Sequence, residues 1–255
     1  MATQSEITPL TQAEIEEGLR FLGLSRGIAI EVHSSLSSMG LVKGGAATVV
    51  DALINIVGVD GAIVMSAYPV SKPLPLSSIE KEKGILAKVK IFDEAYTGPS
   101  GMGKIADEFR RRPETILGKG IHRVCAWGNN AEMHSRGYDY LLEIDGYVLL
   151  IGVGIDRCSS MHLAEKMGLP AEINKYFKVP DNVRQEYSSD IHIAYGRTPD
   201  DGWGKVLVTA EQQGLIKRHT IGQAKCMLFK ARPIIGIYES ALRNDPMGLF
   251  GIKKK

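Results

Sequence analysis

The run from Gly27 to Tyr68 constrains the fold more than any other stretch. "GIAIEVH" is a short β-rich segment, "HSSLSSMGLVKGG" a hydroxyl-rich loop, "AATVVDALINIVG" repeats its apolar residues at helical spacing, and "AIVMSAY" is a second apolar run. Strand, loop, helix and strand in that order make a βαβ unit, whose parallel strands need the helix as crossover and bury one sheet face beneath it. The chain is therefore expected to be an α/β protein built on a mostly parallel or mixed sheet. "RVCAWG" and "GYVLLIGVG" read as two further buried strands.

Helices are marked at both ends of the chain. "LTQAEIEEGLRFLGL" places Thr11 three residues before Glu14, a capping box, with Ile15, Leu19 and Leu22 on one face and an end near Gly23. "GMGKIADEFRRRP" reads as a helix closed by Pro113, and "AKCMLFKARPIIGIYESALRNDP" as a strand followed by a helix. Between Pro69 and Pro99 the pattern weakens into turn-rich and charged sequence, read as an excursion that covers something. Beyond Pro170 the chain is polar, turn-rich and hard to divide. At 255 residues, one large α/β unit spanning 1–255 is expected, with at most a small lobe.

Charge and cysteine content narrow the function. Lys and Arg number 31 against 29 Asp and Glu, so no strong field implies nucleic acid as a partner. The three cysteines, Cys125, Cys158 and Cys226, lack paired metal spacing and fit reduced thiols. "MATQSEITPL" has no basic segment followed by an apolar one, and no later run reaches membrane-spanning length. A soluble cytoplasmic protein, independent of membranes, is expected.

Chemistry concentrates in "GIDRCSSMHLAE", which follows the "GYVLLIGVG" strand directly. In open α/β sheets ligands bind beyond the carboxyl ends of strands, and both this segment and "HSSLSS" stand at such an address. His162 and Glu165 are three apart, so on a helix they meet, and a carboxylate on one ring nitrogen makes the other a better base. The same two residues are equally readable as a solvated pair without a role. Cys158 precedes His162 by four, which leaves a Cys–His nucleophilic dyad open beside the plainer reading of a small buried hydrophobe. "HLAE" lacks the further ligands that zinc requires, so no metal is expected. The serine loop suits phosphates or an amide-rich cofactor, or is simply a solvated turn; it has neither P-loop nor dinucleotide spacing.

Four ordered blocks, "VHSSLSSMG…GGAATVVDALINIVGVDGAIVM", "GMGKIADEFRRRP", "CAWGNNA" and "VLLIGVGIDRCSSMHLAE", resemble the aminoglycoside N3-acetyltransferases over about residues 11 to 168. A fainter likeness extends to Asp190 and the C-terminal helix. The resemblance implies a three-layer α/β/α fold, with acetyl-CoA (coenzyme A) and an aminoglycoside or related polyamine in one cleft, and it leaves room for a homodimer. It implies His162 as general base with Glu165 beside it. The coenzyme falls to His33, Ser34, Ser35 and Ser38, to Met102 and Gly103, and to Ser159. The cationic acceptor falls to Asp93, Glu165 and Asp190, with Tyr68 at the same cleft and residues 69–99 as a divergent insert on the acceptor side.

The chain departs from the family pattern in three places. Met65-Ser66 stands where relatives often read Met-Pro. "GKGIHRVCAWG" replaces a His-Pro dipeptide, which brings Lys119 and His122 into the coenzyme's neighbourhood instead. Cys158-Ser159 replaces Asn-Thr. The expected reaction is direct attack of an amine, deprotonated by His162, on the thioester, with backbone N–H groups at Ser159 and Ser160 steadying the oxyanion. Alternatives are the same fold and cofactor acylating a different amine, a coenzyme-binding relative without catalysis, and a Cys158-based acyltransferase or hydrolase.

Overall fold

The computed structural model describes residues 8–78, 81, 85–90, 98–174, 178–187, 191–197 and 202–251. Helix α1 (Gln12–Leu22) begins at the predicted capping box, Thr11 N–H donating to Glu14 Oε2 at 2.8 Å, and stops at Gly23, whose φ of 115° is left-handed. Strand β1 (Ala29–Ser34) leads through a 3₁₀ turn (Leu36–Met39) into helix α2 (Ala46–Val57) and strand β2 (Ala62–Ser66), the foreseen βαβ unit. Strands β3 (Ser71–Pro73) and β4 (Ile85–Lys90) follow, then helix α3 (Lys104–Arg110), the short β5 (Ile116–Leu117), β6 (Val124–Gly128) and β7 (Tyr147–Ile151). The last third holds β8 (His192–Arg197), helix α4 (Gly202–Gln212), β9 (Lys217–Ile221), β10 (Ala224–Lys230) and helix α5 (Ala231–Asn244).

Seven of these strands form one mixed sheet in the order β5-β6-β2-β1-β7-β10-β9, parallel where β1 meets β2 and β7 and antiparallel elsewhere. Alternation along β7 builds two cores. Leu149 and Ile151 join Ile15, Leu19, Leu53 and Phe109 on the face covered by α1, α2 and α3. Val148 and Leu150 join Met161, Val206, Ile234 and Tyr238 on the other, under α4 and α5. The result is the α/β/α sandwich; β2 and β7 are largely apolar because both of their faces are buried, while β1 adds Glu31 and His33 to one face.

The region read as an excursion contains real strands. β3, β4 and β8 make a separate antiparallel sheet in which Lys90 lies directly opposite His192. Ala87 and Val89 turn inward onto Leu74 and Ile193, so the alternate residues Lys88 and Lys90 share the opposite face. β8, β9 and α4 fall in the stretch that sequence patterning leaves undivided. No helix among the described residues is long and apolar enough to cross a membrane.

Candidate active site

β1, β2 and β7 end side by side at Ser34, Ser66 and Ile151, and the chain leaves β1 for β2 on one side and reaches β7 on the other. That divergence is the switch point where open α/β sheets take their ligands. The serine loop is seated there by Ser35 N–H donating to Ile151 O at 3.0 Å. Ser38 Oγ donates to Ser35 O at 2.7 Å, so its hydroxyl serves the loop itself, and the Ser35 and Ser37 hydroxyls lie 3.1 Å apart. Across from Ser34, Gly103 adopts φ 93°, and a Cβ built on it would meet Ser34 O at 3.8 Å, ordinary van der Waals contact, so the two segments lie close together. Met102, half-buried beside Gly103, packs on the core.

Beneath the loop, β1 sends Glu31 and His33 to the other face. Glu31 is fully buried, its Oε1 2.6 Å from His33 Nε2, while Oε2 has no hydrogen-bond partner among the described residues. Onto this pair the segment after β7 aims two backbone amides: Ser159 N–H toward His33 Nε2 at 3.2 Å and Ser160 N–H toward Glu31 Oε1 at 3.1 Å. Those amides, expected to face an oxyanion, instead fasten the turn to the central strand. His33 is likewise committed inward through Nε2. Ser159 Oγ lies 3.0 Å from Ser66 Oγ, which lies 2.7 Å from Tyr138 OH, and Tyr68 faces both serines. Ser66, standing where the family pattern has proline, thereby supplies the hydroxyl linking β2 to the turn.

The turn itself is not the α-helix expected. Residues Ser159–Met167 wind as a 3₁₀ helix, at three residues per turn, so positions three apart eclipse. This brings His162 Nδ1 to 3.0 Å from Glu165 Oε2 and leaves the ring 63% exposed. Tyr238 OH donates to Glu165 Oε1 at 3.1 Å, and the Trp203 ring meets the imidazole edge-on at 5.0 Å. Burial, then the Glu165 charge, pushes the Tyr238 phenol well above its usual range, so it remains a donor. Sequence patterning marks neither Tyr238 nor Trp203. Both lie far along the chain, on α5 and α4, and only the fold brings them here.

The Cys–His dyad is not formed, because Cys158 is the extended cap ahead of the 3₁₀ helix and its thiol turns into the core. Cys158 is 1% exposed in the second core, its Sγ 3.4 Å from Ser160 Oγ. Burial, then the Glu31 charge, raises its thiol far above the reactive range. Cys125 and Cys226 are buried and free as well.

One wall of the cleft comes from the small sheet. Lys90 Nζ lies 4.5 Å over the Tyr68 ring, and His122 meets Tyr68 at 5.5 Å and His192 at 4.7 Å, each edge-on. Burial and the Lys88 charge pull the Lys90 ammonium down to about 8. His122 is lowered to about 4 by burial and then by the charges of Lys90, His192 and His162. Lys119 stands exposed after β5 and makes none of these contacts. Asp93 and Asp190 lie outside the described residues.

A profile for the aminoglycoside 3-N-acetyltransferase family matches residues 32–243. The chain is 34% identical, over 270 aligned residues covering 95% of it and 96% of its relative, to the SPbeta prophage-derived aminoglycoside N(3')-acetyltransferase-like protein YokD of Bacillus subtilis (strain 168). The crystal structure of YokD shares the fold at a TM-score of 0.71 and 27% identity, covering 94% of this chain and 96% of that one. Aminoglycoside acetyltransferase AAC(3)-IVa, as a histidine-to-alanine variant in complex with a gentamicin, has a TM-score of 0.73 at 23% identity over 96% and 93% of the two chains. AAC-IIIb in its binary complex with CoASH has 0.69 at 19%, over 97% and 100%. The protein is thus an enzyme of the acyltransferase class. It belongs to the aminoglycoside 3-N-acetyltransferase family.

Proposed function

We propose that the chain is an acetyl-CoA-dependent N-acetyltransferase in which His162 is the general base for direct attack by an acceptor amine. The observation that carries this reading is the exposed imidazole at the strand edge, its Nδ1 held by Glu165 and its Nε2 open among the described residues. When bound, acetyl-CoA supplies an acyl carbon already activated as a thioester. Ser34, Ser35, Met102 and Gly103, brought together at the end of β1, are the residues that would border the pantetheine chain. What the chain must add is a deprotonated amine, since an alkyl ammonium near neutral pH has no lone pair to attack with. His162 Nε2 takes that proton, Glu165 steadies the imidazolium, and Tyr238 keeps the carboxylate aimed. AAC-IIIb bound to CoASH supports the cofactor, and three buried free thiols suit the reducing cytoplasm.

Family membership and the gentamicin-bound relative support the 3-amino group of an aminoglycoside as acceptor. A different amine is the second reading. It is favoured by the surroundings of Tyr68, which among the described residues present Lys90, His122 and His192 rather than carboxylates.

General-base assistance is typically worth ~10²- to 10⁴-fold. His162→Ala should lower kcat by that order while coenzyme A binds as before, measured by thiol release and calorimetry. Undiminished turnover in this variant would remove the assignment.

A further inference from the structure

Lys90 is a cation out of place. The residue is 7% exposed, yet among the described residues its ammonium has no hydrogen bond and no carboxylate partner, only the Tyr68 ring. A buried charge without a counterion is costly, and a protein tolerates it where a ligand supplies the opposite sign. The surrounding groups deepen the imbalance. On its own strand stands Lys88, whose charge acts on it; across the sheet stands His192 and on the loop before β6 His122, both held toward their neutral forms, with Arg184 adding its charge at His192. Among the described residues, no carboxylate figures in the charges acting on Lys90, His122 or His192. Glu165, next to His162, is already taken by that ring and by Tyr238.

Resting on the N-acetyltransferase reading above, we infer that Lys90, with His122 and His192, forms an oxyanion subsite, so that the acceptor is an amine whose carrier bears a phosphate or carboxylate. The geometry suits this. β4 and β8 hold Lys90 and His192 in direct register, the two imidazoles meet edge-on at 4.7 Å, and Lys90 and His122 both lie against the Tyr68 ring, so one ammonium and two imidazoles share one neighbourhood. Placed there, an anion would be desolvated and paired at once, and the inference requires its amine to reach His162. A polycation would meet like charge at the same wall.

The test has a binding arm and a turnover arm. In the binding arm, inorganic phosphate is the probe and the melting temperature of wild type saturated with coenzyme A is the readout. Phosphate should raise it, and Lys90→Met, which keeps the packing and drops the charge, should weaken the apparent affinity ~10- to 100-fold, the worth of a hydrogen bond to a charged group. His192→Gln should weaken it in the same direction. No phosphate effect, or one that coenzyme A abolishes while Lys90→Met loosens coenzyme A itself, overturns the inference, the latter by assigning the cation to the coenzyme's phosphates. In the turnover arm, thiol release from acetyl-CoA is followed with glucosamine, glucosamine 6-phosphate and gentamicin. The phosphorylated amine should exceed glucosamine in kcat/KM at least ~10-fold, and Lys90→Met should bring that ratio toward about 1. Gentamicin preferred, with no advantage for the phosphate, overturns the inference and leaves N-acetylation standing. Thiol release with none of the amines would instead remove the acetyltransferase reading, while the phosphate arm still reports on Lys90.

Discussion

Cys158 and His162 show how much a single side chain's role depends on local winding. Read as an α-helix, the segment puts the thiol and the imidazole on one face; in the fold, Cys158 is the extended cap ahead of the 3₁₀ helix and its sulfur is buried. Cys158→Ala is therefore expected to leave the rate of thiol release within about twofold of wild type and to cost ~1 kcal/mol in urea denaturation. A collapse in turnover with the fold intact would reinstate covalent catalysis. The His162–Glu165 contact is legible in the sequence because residues three apart meet in either kind of helix. Tyr238 and Trp203 are not, since nothing local distinguishes a tyrosine on an amphipathic helix or a tryptophan in a glycine-rich turn from ordinary packing. Lys90 is hidden for a different reason: in a run that reads "KEKGILAKVK", every lysine looks solvated, and only the strand pairing shows which one is enclosed.

At the scale of elements, the site depends on how β7 hands over to the turn. Gly152, the first residue past the strand, has φ 63°, and a Cβ there would sit 1.7 Å from Ser38 Oγ. Backbone freedom and close approach are both required at this one position. Gly152→Ala should destabilise the protein by ~2 kcal/mol and displace the serine loop, since either the left-handed backbone or the Ser38 contact must yield. Denaturant unfolding checks the first effect and a raised KM for acetyl-CoA the second; an unaltered midpoint would mean the loop is not packed on β7. The capping box, the βαβ unit and the β10–α5 pair are readable because their signals are local in the chain. β4 and β8 are not. β4 alternates small apolar residues with lysines, a pattern weak enough to pass for a charged linker, and its partner lies far along the chain, Lys90 pairing with His192.

The whole molecule combines supports of unequal strength. The central sheet is buried on both faces by two large apolar cores, whereas the three-stranded sheet rests on a small cluster around Leu74, Ala87, Val89 and Ile193. Local opening should follow that difference. Hydrogen exchange read by mass spectrometry is expected to show β1, β2 and β7 exchanging slowest and β4 and β8 far earlier; equal protection would mean that the small sheet is as firmly held as the core. The amides of Ser159 and Ser160, bound to His33 and Glu31 on the middle strand, take their position from the slow part of the molecule. The turn that carries His162 is thus indexed to the scaffold, while the sheet that carries Lys90 and His192 is a lightly anchored ribbon beside it. Under the roles proposed for His162 and Lys90, a lineage built this way could redraw its clientele by editing a few residues of that ribbon while keeping its reaction.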